Sequence, residues 1–323
     1  MLKRKDNNVK MKIGLLFPGQ GSQYLGMGKD LYDEYEEYRD VYKNVKDITG
    51  IDVKKITFEE EEFLNQTKYT QIAILTMSLA ILEVLNKKIN LNEYCLAGLS
   101  LGEYTALIRG NSISFEDGVK IVSKRGELMQ DMCPKGDWAM AAVMGLEENE
   151  LEEVISEVKG FVKMANFNTV GQIVVSGDRE GINELIVLAK EKGAKRVIEL
   201  NTSGPFHTEK LENAADELRK ELDKIDVKSP SIKVFKNIDG KEYSLSDDMK
   251  DILKNHIVSS VRFSDSINEM IEDGVDTFIE IGPGKTLTGF VKRINKDVTL
   301  FNINDKESLN NVVEVLNGGN ING

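Results

Sequence analysis

The chain places a serine between glycines two positions away on either side, Gly98-Leu99-Ser100-Leu101-Gly102. Before it, Tyr94-Cys95-Leu96-Ala97 is short and apolar and reads as a buried strand. After it, Glu103-Tyr104-Thr105-Ala106-Leu107-Ile108 reads as the first turns of a helix. A strand-serine-helix corner of this kind holds the hydroxyl out at the end of a sheet. It also aims the next backbone N–H, that of Leu101, at whatever the hydroxyl attacks. A serine hydroxyl becomes a useful nucleophile once a base takes its proton, and histidine suits that task near neutral pH. The chain has two histidines. His207 lies in Ser203-Gly204-Pro205-Phe206-His207, a loop leading into a helix, where catalytic groups concentrate. His256 follows the amphipathic segment 248–255 and has a simpler role open to it as a helix cap.

A second oxyanion donor must come from another loop. Gly19-Gln20-Gly21-Ser22-Gln23 follows the first strand and should lie at the same sheet edge as the serine; a plain glycine turn is the alternative. Losing one such donor typically costs about 3 kcal/mol of transition-state stabilisation. Gly282-Pro283-Gly284-Lys285-Thr286 invites a phosphate-loop reading. That loop needs a glycine five positions before its second glycine, where the chain has Ile279, so nucleotide hydrolysis is not expected. The helix start there could still receive a phosphate of some ligand.

The elements that must position these groups alternate strand and helix from Lys12 onward, which predicts an α/β fold. A strand is expected over 12–17, a long apolar helix over 70–86, and an amphipathic helix over 115–132. Between 138 and 200 the pattern changes to βαββαβ: strands at 139–144, 161–166, 172–176 and 196–200, with helices at 147–158 and 180–192. That order is the one of a ferredoxin-like unit. We therefore expect a large catalytic domain from 11–134 and 207–317, a small inserted domain over 135–206, and loose termini at 1–10 and 318–323. The large domain resumes with a helix over 208–222 and later a strand over 277–281.

Bulk composition narrows the class. The formal net charge of −12 argues against a nucleic-acid binder, which needs a basic footprint. Lys285, Lys292 and Arg293 fall near one face of a C-terminal helix and form a local basic patch or an ordinary solvated face. No apolar run reads as long enough to cross a bilayer, and the basic start carries no apolar signal region. Cys95 and Cys133 match no metal spacing, and Cys95 is expected buried and reduced. A cytoplasmic location fits these features.

Six segments in order resemble the malonyl-CoA:acyl-carrier-protein transacylases: Phe17-Pro18-Gly19-Gln20-Gly21-Ser22-Gln23, Gly98-Leu99-Ser100-Leu101-Gly102-Glu103, Lys124-Arg125-Gly126, Asn166-Phe167-Asn168, Gly204-Pro205-Phe206-His207 and Ile281-Gly282-Pro283-Gly284-Lys285. The resemblance spans about residues 12–303. It implies an α/β-hydrolase-like large domain with a ferredoxin-like insertion. It implies Ser100 as nucleophile, His207 as base, and the Gln20 and Leu101 N–H groups as the oxyanion hole. It assigns Arg125, Asn168 and His256 to substrate binding, with Arg125 gripping the free malonyl carboxylate. Pattern alone makes Arg125 a solvated helix arginine. The substrates implied are malonyl-CoA and the phosphopantetheine thiol of acyl carrier protein, in a ping-pong reaction feeding fatty-acid synthesis. No metal or bound cofactor is expected, and a monomer is the expected state. Leu99 stands where the family has histidine, and His256 where it has a glutamine whose backbone carbonyl orients the catalytic histidine. A polyketide carrier, a serine hydrolase on a related scaffold, and a lapsed carrier-binding module are the alternatives.

Overall fold

The computed structural model describes residues 11–202 and 204–318. Of the expected loose segments 1–10 and 318–323, all but Gly318 lie outside the described residues. Five strands form one parallel sheet in the order β7-β2-β1-β8-β9, where β1 is Ile13–Phe17, β2 Cys95–Gly98, β7 Lys233–Val234, β8 Thr277–Ile281 and β9 Thr299–Ile303. Strands β1, β2 and β8 are buried along their whole length, as befits a sheet covered on both faces; β1 and β2 are apolar throughout, and β8 also buries Thr277 and Glu280. The chain builds outward from β1 through β2 to β7, then returns to the other side of β1 for β8 and β9. Ligands bind at such a reversal, beyond the carboxyl ends of the strands. Phe17 pairs with Gly98 at that end, so the loops after β1 and β2 leave the sheet side by side.

The second sheet is antiparallel, in the order β4-β5-β3-β6, with β3 Trp138–Met144, β4 Val162–Thr169, β5 Gln172–Asp178 and β6 Arg196–Leu200. Helices Glu148–Glu157 and Arg179–Lys192 complete the βαββαβ unit, whose first and third strands sit at the centre as in a split βαβ. The expected element order is observed; β4 and β5 run longer than their apolar cores suggested. The two-residue β7 is too short to leave a periodic signal, and the pattern had not marked it.

Helix Thr67–Lys88 carries apolar residues all round and runs through the core of the large domain. It is long and apolar enough to cross a bilayer, which corrects the expectation that no segment is. However, 83% of its most apolar window is buried inside the protein, so its apolar surface is already covered. Cys95 is buried as expected, and burial pushes its thiol up to about 12.

Candidate active site

The small residues around Ser100 are explained by how tightly the corner packs. A Cβ on Gly98 would strike the Gly102 backbone, and one on Gly102 would strike the Phe17 carbonyl. Ser100 itself has φ 52° and ψ −104°, a conformation that costs a non-glycine residue on the order of 1–3 kcal/mol and persists where the surroundings impose it. Among the described residues, three non-glycines have positive φ: Ser100, His207 and Asn111. Two of these three form the pair expected to carry the chemistry.

Ser100 Oγ lies 2.8 Å from His207 Nε2. His207 Nδ1 faces two backbone carbonyls, those of His256 at 3.0 Å and Ser259 at 3.1 Å. Carbonyls only accept, so Nδ1 carries the proton and the Nε2 lone pair is turned to the serine O–H. Burial, reinforced by the Arg125 cation, lowers His207 to about 4. The imidazole is therefore neutral and able to accept a proton at pH 7.

Arg125 is fully buried, contrary to the solvated position its pattern suggested. It lies on the inner stripe of helix Phe115–Asp131, in phase with Val122 and Met129. Nη1 donates to Gln71 Oε1 at 2.6 Å and Nη2 to Ser100 Oγ at 3.1 Å, while Nε has no partner among the described residues. The described residues supply no ion-paired carboxylate to this guanidinium; Glu103 acts on it from a distance. A buried cation in this state lacks the counter-charge that burial normally demands.

These groups border a cavity of about 120 Å³, lined also by Gln20, Leu101 and Asn168. Asn166, Asn168 and Met140 form the wall supplied by the small domain, so the site lies between the two sheets. Asn168 is buried and its Oδ1 has no partner among the described residues. Leu99 fills the position next to the nucleophile and presents an apolar surface to the cavity. An outer cleft of about 460 Å³ shares Gly19, Gln20, Leu99 and Asn168 with the inner one and extends to Lys285 and Arg293.

Two expectations need correction. His256 does not line the cavity; its side chain is fully buried behind His207, and its backbone carbonyl is what reaches the site. The helix Thr286–Ile294 does not offer an open N-terminus to a phosphate. The buried Glu280 carboxylate already accepts the Leu287 and Thr288 N–H groups at 3.1 and 2.8 Å. Of the basic patch, Lys285 and Arg293 border the outer cleft and Lys292 does not, although all three are exposed.

Sequence reasoning missed Gln71, which holds the guanidinium, and Asn237 and Glu103, which lie behind the corner. Gln71 sits one turn into the helix beside Thr67, Lys68 and Thr70, so its polarity reads as part of an ordinary first turn and gave no signal of its own. Glu103 follows a helix start, where an exposed acid is the ordinary expectation, so nothing in its position announced burial.

The fold and this geometry define an α/β protein with a Ser–His pair at the carboxyl edge of a parallel sheet, facing a small inserted domain. The model of the acyl transferase domain family matches residues 15–312, and the chain belongs to that family. It is 40% identical over 315 residues to a malonyl CoA-acyl carrier protein transacylase of Bacillus subtilis, covering 96% of this chain and 99% of that protein. The crystal structure of a malonyl CoA-acyl carrier protein transacylase from Clostridium perfringens superposes with TM-score 0.90 at 43% identity, covering 95% of this chain and 97% of that one. A malonyl-transacylase in complex with its type II PKS acyl-carrier protein has TM-score 0.90 at 34% identity, with coverage of 94% and 99%.

Proposed function

We propose that the chain transfers a malonyl group from malonyl-CoA to the phosphopantetheine thiol of an acyl carrier protein through a malonyl-Ser100 intermediate. The observation that carries this reading is the buried Arg125 guanidinium, 3.1 Å from Ser100 Oγ, with no ion-paired carboxylate among the described residues. A planar guanidinium takes a carboxylate through two parallel hydrogen bonds. An acyl group with a free carboxylate satisfies it; an acetyl group leaves it unpaired. The names of the relatives support the same substrate pair.

In the proposed sequence, His207 Nε2 takes the serine proton as Oγ attacks the thioester carbonyl. The Leu101 and Gln20 N–H groups hold the oxyanion. The tetrahedral intermediate collapses, and the CoA thiol leaves with the proton that His207 returns. The carrier's thiol then enters by the outer cleft, gives its proton to His207 and attacks the acyl carbonyl; the bond from Ser100 Oγ to the acyl carbon breaks, and His207 returns the proton to Oγ. Asn168, whose side-chain amide lies in the cavity wall, is the second polar contact for the acyl group, its Nδ2 donating to an acyl oxygen. These steps use side chains and backbone N–H groups throughout. The acidic carrier meets the exposed Lys285 and Arg293 at the mouth, and fatty-acid synthesis is the setting that the sequence resemblance implies.

The test is to incubate the protein with malonyl-CoA and weigh it intact. A malonyl adduct that is lost in Ser100→Ala and discharged by carrier protein is the expected result. Free malonate with no adduct would instead make the protein a hydrolase.

A further inference from the structure

Behind the Ser100 corner lies a buried polar cluster that the reaction above does not use. Asn237 follows the short strand β7 and is fully buried. Its side-chain amide spans the corner: Oδ1 accepts the Ser100 N–H at 2.6 Å and Nδ2 donates to the Gly98 carbonyl at 2.7 Å. Its backbone is held as firmly. The Asn237 N–H donates to Glu103 Oε2 at 3.0 Å, and its carbonyl accepts the Arg262 N–H at 2.7 Å. Glu103 is fully buried, and its other oxygen accepts from the Tyr243 hydroxyl. His256 Nδ1 approaches Oε2 to 3.6 Å, too far for a hydrogen bond.

Two consequences follow. The Ser100 N–H is occupied by Asn237, so it cannot serve a developing oxyanion, and that duty passes to the Leu101 N–H one residue on. The left-handed backbone of Ser100 also needs a restraint from outside the corner, because a serine released from it relaxes to negative φ and carries Oγ away from His207. We propose that Asn237 is a positioning residue for the nucleophile, clamping the corner through its side-chain amide, and that Glu103 fixes Asn237 in place. This rests on Ser100 being the acylated residue.

The experiment measures, in the full chain, the single-turnover rate of Ser100 acylation by malonyl-CoA, together with malonyl-CoA affinity on a Ser100→Ala background. Asn237→Ala is expected to slow acylation about 100-fold, the usual consequence of an ångström-scale misplacement. Affinity should stay within about threefold, because the cavity and Arg125 are untouched. Glu103→Ala should behave likewise. Glu103→Gln should be rescued to within about fivefold, since its amide oxygen still accepts from Asn237 and its NH₂ can donate to the Tyr243 oxygen. Asn237→Asp, nearly isosteric, keeps the acceptor for Ser100 and loses the donor to Gly98. It should lose about tenfold and keeps the question decidable if Asn237→Ala does not fold. Asn237 variants that acylate at the wild-type rate per folded molecule, or a loss that merely tracks the folded fraction, overturn the role. A wild type that forms no adduct removes the transferase reading and this role together, whereas a wild-type adduct with unimpaired variants removes this role alone.

Discussion

Arg125 Nη2 donates to Ser100 Oγ at 3.1 Å from a fully buried position, so the same oxygen sits between a fixed cation and the His207 imidazole. Under the proposed function, selection of the acyl group and activation of the serine would share one geometric arrangement, held by Gln71 from the far side.

Arg125→Ala should lower kcat/KM for malonyl-CoA by about 100- to 1,000-fold, the range expected when one partner of a buried charge pair is removed. Acetyl-CoA should lose far less, since it makes no carboxylate contact. Steady-state assays with both thioesters check this, and an equal loss on both would show that Arg125 supports the serine without choosing the substrate.

The acid limb of kcat/KM should fall below the ordinary imidazole range, because His207 is lowered to about 4 and stays neutral well under pH 6.5. The Arg125 cation is one cause of that lowering. Its removal in Arg125→Ala should therefore move the limb upward, toward neutral pH. A limb that stays near pH 6.5 in the wild type would mean that His207 is not desolvated as described.

Burial raises Glu103 to about 7, against the hydrogen bonds from Tyr243 and Asn237 that favour its ionised form. The folded protein thus holds a proton there that the unfolded chain releases near pH 4.5. Its contribution to stability is complete below about pH 4.5 and is lost as pH rises to about 7. His207 acts with the opposite sign: its lowered value makes stability rise with pH between about 4 and 6.5. Glu103→Gln deletes the first term. Its melting temperature, relative to wild type, should improve as pH climbs from 4.5 to 7, and a difference that stays flat with pH contradicts the assignment.

His256→Gln should retain kcat within about threefold, because the His207 contact is made by a backbone carbonyl and Ser259 supplies a second one. His207→Ala, by contrast, removes the base and should cost about 1,000-fold or more. A large loss in His256→Gln would assign a role to the buried ring itself, which has no hydrogen-bond partner among the described residues.

Reversing the charges of Lys285 and Arg293 should raise KM for the carrier protein several-fold and leave KM for malonyl-CoA nearly unchanged. The effect should shrink as salt is added, since both groups are solvent-exposed. Reversal of Lys292, which lies off the cleft, should do less. Equal effects on both substrates would reject carrier docking at this mouth.

Much of this arrangement is written in local pattern. The apolar run before Ser100, the glycines around it and the helix after it already specify a corner, because only small residues allow Gly98, Gly102 and Phe17 to approach so closely. The βαββαβ unit is equally legible, since period-two and period-3.6 runs alternate with turn residues between them. What local pattern cannot carry is which polar groups become buried. Arg125, Glu103 and Asn237 each look like solvent residues in their own segment. They are dry because distant elements close over them: helix Thr67–Lys88 over the guanidinium, and the loop after β7 over the carboxylate. Likewise, His207 is one of two histidines until the fold brings it 2.8 Å from a serine 107 residues away and sets the His256 and Ser259 carbonyls behind it. Backbone preference is a property of neighbours in the chain; desolvation and charge coupling are properties of neighbours in space.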